Sequence, residues 1–241
     1  MDELFARTPV EVAPGAVHVP RWLGLERQRE IAAACREWAR GPAPMRHTAM
    51  PRGGQMSVQT VCLGWHWMPY RYSRTADVVN GAPVAAVPDW LKELGREAVA
   101  TAYGGNNART GENNARIDAN NARTDGNNAR IGGGYEVDAV LVNFYDATAK
   151  MGMHQDKEEV SDAAVVSLSI GDSATFRFGN TESRGKPYID VLLESGDLFV
   201  FGGPSRFAYH GVPKIVPGTA PPGCGIETGR LNLTLRETGL S

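Results

Sequence analysis

Arg230-Leu231-Asn232-Leu233-Thr234-Leu235-Arg236, near the end of the chain, alternates polar and apolar residues without interruption. Successive side chains of an extended strand point to opposite faces, so three leucines share one face and Arg230, Asn232, Thr234 and Arg236 share the other. The leucine face reads as core, and the opposite face offers two guanidinium groups to an anion. Upstream, Asp138-Ala139-Val140-Leu141-Val142-Asn143-Phe144-Tyr145 is a second strand-like run, with Asn143 and Tyr145 on the face of Ala139 and Leu141. Polar groups on such faces need partners when buried. Further short runs lie at Ala164 to Ile170, Ala174 to Phe178, Ile189 to Leu193 and Leu198 to Phe201, with Gly171-Asp172 and Ser195-Gly196-Asp197 as turns between them. Many short strands with regular turns predict an antiparallel sandwich or jelly roll.

The first half of the chain reads differently. Leu25, Ile31, Ala32, Cys35, Trp38 and Ala39 recur at helical spacing and Gly41-Pro42 stops the pattern. Gly53-Gly54 opens a strand-like run from Met56 to Leu63, which leads into the aromatic group Trp65, Trp67, Tyr70 and Tyr72. A second helix, capped by Asp89 and carrying Trp90, Leu91, Leu94 and Val99, is expected to end at Gly104-Gly105. Both helices are expected to buttress a sheet.

Met153-His154-Gln155-Asp156-Lys157-Glu158 supplies chemistry. In an extended segment His154 and Asp156 point the same way, and Tyr209-His210-Gly211 brings a second imidazole from elsewhere in the chain. Two histidines and one carboxylate make the facial triad that leaves open positions on non-heme ferrous iron. A lone histidine is more often a hydrogen-bonded structural residue; the arginine-bearing strand beside the triad is what points to a metal with an anionic co-substrate.

Taken together, these stretches resemble the AlkB family of iron(II)- and 2-oxoglutarate-dependent dioxygenases, which repair alkylated nucleobases. The matching segments are Met56-Ser57-Val58, Leu63-Gly64-Trp65, Tyr70-Arg71-Tyr72-Ser73, Asp138 to Tyr145, His154 to Glu158, Val166 to Ile170, Phe176 to Gly179, Gly202 to Arg206, Tyr209-His210-Gly211 and Arg230 to Arg236. They occur in the family's order and cover most of the chain outside residues 104–134. The resemblance implies a mainly β, α+β fold, a double-stranded β-helix with supporting N-terminal helices. It implies Fe(2+) held by His154, Asp156 and His210. It places the far carboxylate of 2-oxoglutarate on Arg230 with Asn232 and Tyr145, and Arg236 with Asn143 nearer the metal; Thr234 is read as structural. Trp65, Tyr70, Arg71, Tyr72, Glu158 and Arg184 become expected substrate contacts, whereas Trp67 is assigned to the core. The implied reaction is oxidative demethylation of 1-methyladenine or 3-methylcytosine in DNA, with release of formaldehyde, succinate and CO2. The same residues would serve a related dioxygenase acting on RNA or protein. Phe201 and Leu235 depart from frequent family residues without touching a ligand.

The chain of 241 residues suits one domain, divided into residues 1–103 (helices and nucleotide-recognition lid), 104–134 (insertion) and 135–241 (catalytic core). A formal net charge of −2 argues against a generally basic nucleic-acid binder, so contact with DNA must be local. Arg46, Arg52, Arg71, Arg74, Arg184 and Arg206 are candidates, and of these Arg46, Arg52 and Arg74 read as solvated surface residues. No apolar run approaches the roughly 20 residues of a spanning helix, and Met1-Asp2-Glu3 lacks a basic leader region. Cys35, Cys62 and Cys224 have no paired metal spacing and read as reduced thiols. A cytoplasmic monomer acting on alkylated DNA, single strands preferred, or on RNA is expected. Asn-Asn-Ala-Arg recurs at 106, 113, 120 and 127; the seven-residue period has no apolar a/d pair and is rich in poor helix formers, which favours a mobile surface insertion over a coiled coil.

Overall fold

The computed structural model describes residues 8–51, 53–108 and 134–240. A hairpin, β1 (Val10–Ala13) and β2 (Ala16–Val19), precedes helix α1 (Leu25–Ala39). Strands β3 (Arg46–Ala49) and β4 (Gln55–Leu63) lead to a small ribbon, β5 (His66–Met68) and β6 (Arg71–Ser73), and then to helix α2 (Asp89–Ala108). The catalytic half contributes β7 (Ala139–Tyr145), β8 (Met151–His154), β9 (Val165–Gly171), β10 (Ser173–Phe178), β11 (Ile189–Leu193), β12 (Leu198–Phe201), β13 (His210–Val216) and β14 (Arg230–Arg236). An eight-stranded sheet, β1-β2-β12-β9-β14-β7-β4-β3, packs on a four-stranded sheet, β11-β10-β13-β8. The strand pairs are antiparallel; the architecture is the jelly roll that the alternating runs predict, in the double-stranded β-helix form that the resemblance implies.

Strand β14 sits near the middle of the large sheet, paired with β7 on one side and β9 on the other. Its leucines Leu231, Leu233 and Leu235 join a core with Val140 and Val142 of β7, Ile31 and Cys35 of α1, and Leu91 and Ala98 of α2. Both helices therefore cover the outer face of the large sheet, as expected; each fully buried leucine contributes about 1.5–3 kcal/mol. A second core fills the space between the sheets, with Phe176, Phe178, Phe199 and Phe201 packed around Tyr145 and Val212.

Two helix expectations fail. Helix α2 runs through Gly104 and Gly105 to Ala108, because glycine inside a helix costs only about 1 kcal/mol and does not stop it unaided. Asp89 does not cap it: Pro88 supplies the first carbonyl, to the N–H groups of Leu91 and Lys92, while Asp89 lies in the first turn and accepts from Lys92 Nζ at 3.0 Å. From residue 109 to 133 the Asn-Asn-Ala-Arg repeats lie outside the described residues, as does Arg52. Between β4 and β5 the chain turns at Gly64, whose φ of +74° and position against the Asp138 carbonyl leave no room for a Cβ.

Candidate active site

Strands β8 and β13 pair so that His154 and His210 are direct cross-strand partners, with ring centroids 4.4 Å apart. Asp156 lies two residues past the end of β8, so the alternation expected of a continuous strand does not place it; the chain's exit from the sheet does. Its carboxylate oxygens stand 3.6 Å from Nε2 of His154 and 3.6 Å from Nε2 of His210. One donor atom from each of the three residues lies within 4.8 Å of the others, a spacing one ion can bridge. Each imidazole donates Nδ1–H to a backbone carbonyl, His154 to Gly152 at 2.9 Å and His210 to Ala208 at 3.0 Å. That fixes the tautomer with Nε2 free to ligate. Burial, with His154 alongside, pushes His210 down to about 4. Burial pushes Asp156 up, but Arg236 and the two imidazoles outweigh it and hold the carboxyl below the usual range. Neutral imidazole and ionised carboxylate are the metal-binding forms.

The triad opens into a cavity of about 420 Å³. One wall is the polar face of β7 and β14: Leu141, Asn143, Tyr145, Arg230, Asn232, Thr234 and Arg236 all line it. Arg230 is almost fully buried; its Nη2 donates to Ser169 Oγ at 2.9 Å, yet its Nε and Nη1 have no partner. Burial lowers its pKa. Arg236 is buried too, and its Nε is also without a partner; Oδ2 of Asp156 accepts no hydrogen bond, although Arg236 Nη2 stands 2.8 Å from it. Buried donors left unpaired cost about 1–3 kcal/mol each, more when charged, so the wall fits a bound dianion, and the carboxylate between two imidazoles fits a cation. Asn143 accepts from Thr60 Oγ1 at 2.8 Å, and Asn232 donates to Ser167 Oγ at 2.7 Å, which holds both amides in place. Phe201 packs on His210 with centroids 4.9 Å apart.

Residues 15–236 match the family model described as 2OG-Fe(II) oxygenase superfamily. An alpha-ketoglutarate-dependent dioxygenase AlkB of Escherichia coli is 35% identical over 203 residues, 82% of this chain and 79% of that protein. The chain belongs to the AlkB family. A DNA N(6)-methyladenine demethylase of Arabidopsis thaliana, ALKBH1D, is 34% identical over 239 residues, 93% of this chain and 50% of that protein. The chain thus spans about half the length of this plant relative and, at 49%, of a second one, ALKBH1C. The solved structure of OsALKBH1 matches with a TM-score of 0.78 at 30% identity, covering 95% of this chain and 100% of that one.

Within this AlkB-family cavity the expected substrate contacts separate into two groups. Tyr70, Glu158 and Arg184 line it; burial first, and then Glu159 and Asp156, raise the pKa of Glu158. Trp65 does not line it. Trp65 is 7% exposed and packs beneath the Arg74 guanidinium, 3.4 Å from its ring centroid, while Trp67, assigned to the core, lines the cavity with Met50, Met56 and Pro69. Alternation in β5 explains the exchange: His66 and Met68 are buried and Trp67 faces the cavity. Tyr72 turns its hydroxyl to Glu159, and Arg71 is exposed, donating to Met68 Sδ at 3.8 Å and acting on Asp77 by its charge. Three arginines read as surface groups or DNA contacts are otherwise engaged. Arg46 meets buried His66 at 2.7 Å, Arg74 covers Trp65, and Arg206 is 2% exposed and bonded to Ala163, Asp156 and Glu159. The residue the sequence reading missed is Glu159, 8% exposed and held by Tyr72, Arg206 and Arg236. Its signal was a second glutamate directly after Glu158.

Proposed function

We propose that this chain is an iron(II)- and 2-oxoglutarate-dependent dioxygenase that demethylates N-alkylated nucleobases, with 1-methyladenine and 3-methylcytosine in DNA as substrates. The observation that carries the reading is the convergence, in one cavity, of a His-Asp-His cluster with two buried arginines, of which Nε and Nη1 of Arg230 and Nε of Arg236 have no protein partner. In this reading His154, Asp156 and His210 hold the metal, Arg230 with Tyr145 and Asn232 takes the far carboxylate, and Arg236 with Asn143 serves the metal end. Planar guanidinium donors suit carboxylates. Iron and 2-oxoglutarate, when bound, supply oxidising power from dioxygen and leave succinate and CO2. The chain's own residues do the rest. The phenylalanine core keeps water from the inner side of His210, Trp67 and Tyr70 give a flat wall for an extruded base, and Glu158 faces its exocyclic amine. Hydroxylation of the methyl group then releases formaldehyde.

An already unpaired base costs less to extrude, which supports a single-strand preference. Among the described residues no helix is long and apolar enough to cross a membrane, and three buried free thiols support a reducing, cytoplasmic setting. The test is mass spectrometry of single-stranded oligonucleotides carrying 1-methyladenine, 3-methylcytosine or N6-methyladenine, in DNA and RNA, after incubation with iron(II) and 2-oxoglutarate. A mass loss equal to one methylene, CH3 replaced by H, is expected and should vanish in His154→Ala, Asp156→Ala and His210→Ala. Turnover of a methylated peptide with none of any nucleic acid would overturn the nucleobase assignment.

A further inference from the structure

Glu159 stands three residues beyond Asp156 in the same segment, and both carboxylates address one guanidinium. Arg236 Nη1 donates to Glu159 Oε1 at 2.5 Å and to the Tyr72 hydroxyl at 2.9 Å. Tyr72 in turn donates to the same Oε1. Arg236 Nη2 lies 2.8 Å from Oδ2 of Asp156, yet that oxygen has no hydrogen-bond partner, so the approach is not along a hydrogen bond. The other oxygen of Glu159 takes Nη2 of Arg206 at 3.2 Å, while Arg206 Nη1 donates to the backbone carbonyl of Asp156 at 2.8 Å.

Arginine and carboxylate prefer the bidentate arrangement, with two parallel N–H···O bonds. Arg236 is near enough to Asp156 to form it, and doing so would occupy both oxygens of a proposed metal ligand. One edge of the guanidinium is instead held by Glu159 and Tyr72. Building on the metal-site reading above, we propose that Glu159 is a positioning residue that competes with Asp156 for Arg236. It holds Arg236 to a single approach, Nη2 to Oδ2 of Asp156, and away from the bidentate pairing, so that Oδ1 of the carboxylate stays open to a divalent cation and the Arg236 Nε stays open to an anionic co-substrate. Arg206, tied to Glu159 and to the Asp156 backbone, holds the two carboxylates at their separation.

The competition gives a signature that general destabilisation does not. The probe is Mn(II) alone, titrated by calorimetry or electron paramagnetic resonance without 2-oxoglutarate. Glu159→Gln, nearly isosteric, should weaken Mn(II) binding by about 10–100-fold, the usual cost of losing an outer partner of a metal ligand. Removing the competing cation as well, in Glu159→Gln with Arg236→Met, should bring Mn(II) affinity back to within roughly fivefold of wild type, although two buried groups have then been changed. Tyr72→Phe, which alters no charge, should weaken binding by only a few fold and serves where the glutamine variant fails to fold. A glutamine variant that binds Mn(II) as wild type does overturns the proposal, and so does a double variant that stays as weak as the single one. If the folded wild-type protein binds no Mn(II), the metal-site reading itself falls and this inference with it.

Discussion

At the scale of single residues the lid shows how close neighbours take opposite roles. Trp65 and Trp67 are two positions apart, but Gly64 turns the chain before Trp65 and β5 begins at His66, so alternation cannot be counted back across the turn. Trp67 lines the cavity; Trp65 is buried under Arg74 with its Nε1 unpartnered. Trp67→Ala is therefore expected to raise KM for a methylated oligonucleotide by about 5–150-fold, the worth of ~1–3 kcal/mol per stacked base, while 2-oxoglutarate affinity holds. Trp65→Ala should instead cost stability, on the order of 3–5 kcal/mol for a large buried ring, visible in thermal unfolding. Equal KM effects from the two would reverse the placement. That His154, Asp156 and His210 come together, and that the β14 arginines share one face, was legible from residue type and from alternation in β14, although alternation does not place Asp156, which lies beyond the end of β8. Glu159 was not, because a carboxylate whose task is to hold an arginine reads in sequence as one more surface acid.

At the scale of elements the legible strands were those with unbroken alternation. Strands β7, β9, β10, β11, β12 and β14 match their sequence runs to within a residue or so. Strand β13 was hidden by Gly211 and Pro213. Proline disrupts a ladder, yet β13 lies between β10 and β8. Its register against β10 slips between Thr175 and Arg177, opposite the stretch Gly211 to Lys214, and an irregularity there accommodates a residue without an N–H. The hairpin β1–β2 was legible in principle from Pro14-Gly15 between two valine-bearing runs, with Gly15 at φ +76°. Gly211 is tied to function as well. A Cβ there would sit 2.7 Å from the Met151 carbonyl oxygen and 2.9 Å from that of Gly152, backbone atoms that cannot step aside. Gly211→Ala should force β13 off β8, at about 1–3 kcal/mol, and separate His210 from His154. Mn(II) affinity should fall while α1 and α2 retain their packing; unchanged affinity would mean that the strand pair does not set the donor spacing.

At the scale of the whole molecule, two cores divide the labour. The helices and the outer face of the large sheet make one, and the phenylalanine-rich space between the sheets makes the other, with the cavity at its polar end. Helix α2 ends at Ala108, and beyond Gly134 the buried Tyr135 donates its hydroxyl to the Leu235 carbonyl at 2.9 Å. A join anchored on both sides tolerates a change of length cheaply, since closure entropy grows by roughly 0.6 kcal/mol per doubling. Replacing residues 109–130 with a short Gly-Ser linker is expected to leave the unfolding temperature and Mn(II) affinity nearly unchanged. If shortening instead weakens oligonucleotide binding and flattens its salt dependence, Arg109, Arg116, Arg123 and Arg130 contact phosphates.

The two faces of β14 carry a consequence for descent. Leu231, Leu233 and Leu235 answer to whether the chain survives in the cell, and Arg230, Asn232 and Arg236 answer to whether it reacts. The two sets alternate along one stretch of seven codons, and the polar set is buried and bonded as well. Even a lineage relieved of its chemistry is held at every second codon, because Arg236 lies between buried Glu159 and Asp156 and Asn232 is tied to Ser167, and losing one partner of a buried pair strands the other. A silent scaffold with the same outline has to change such partners together.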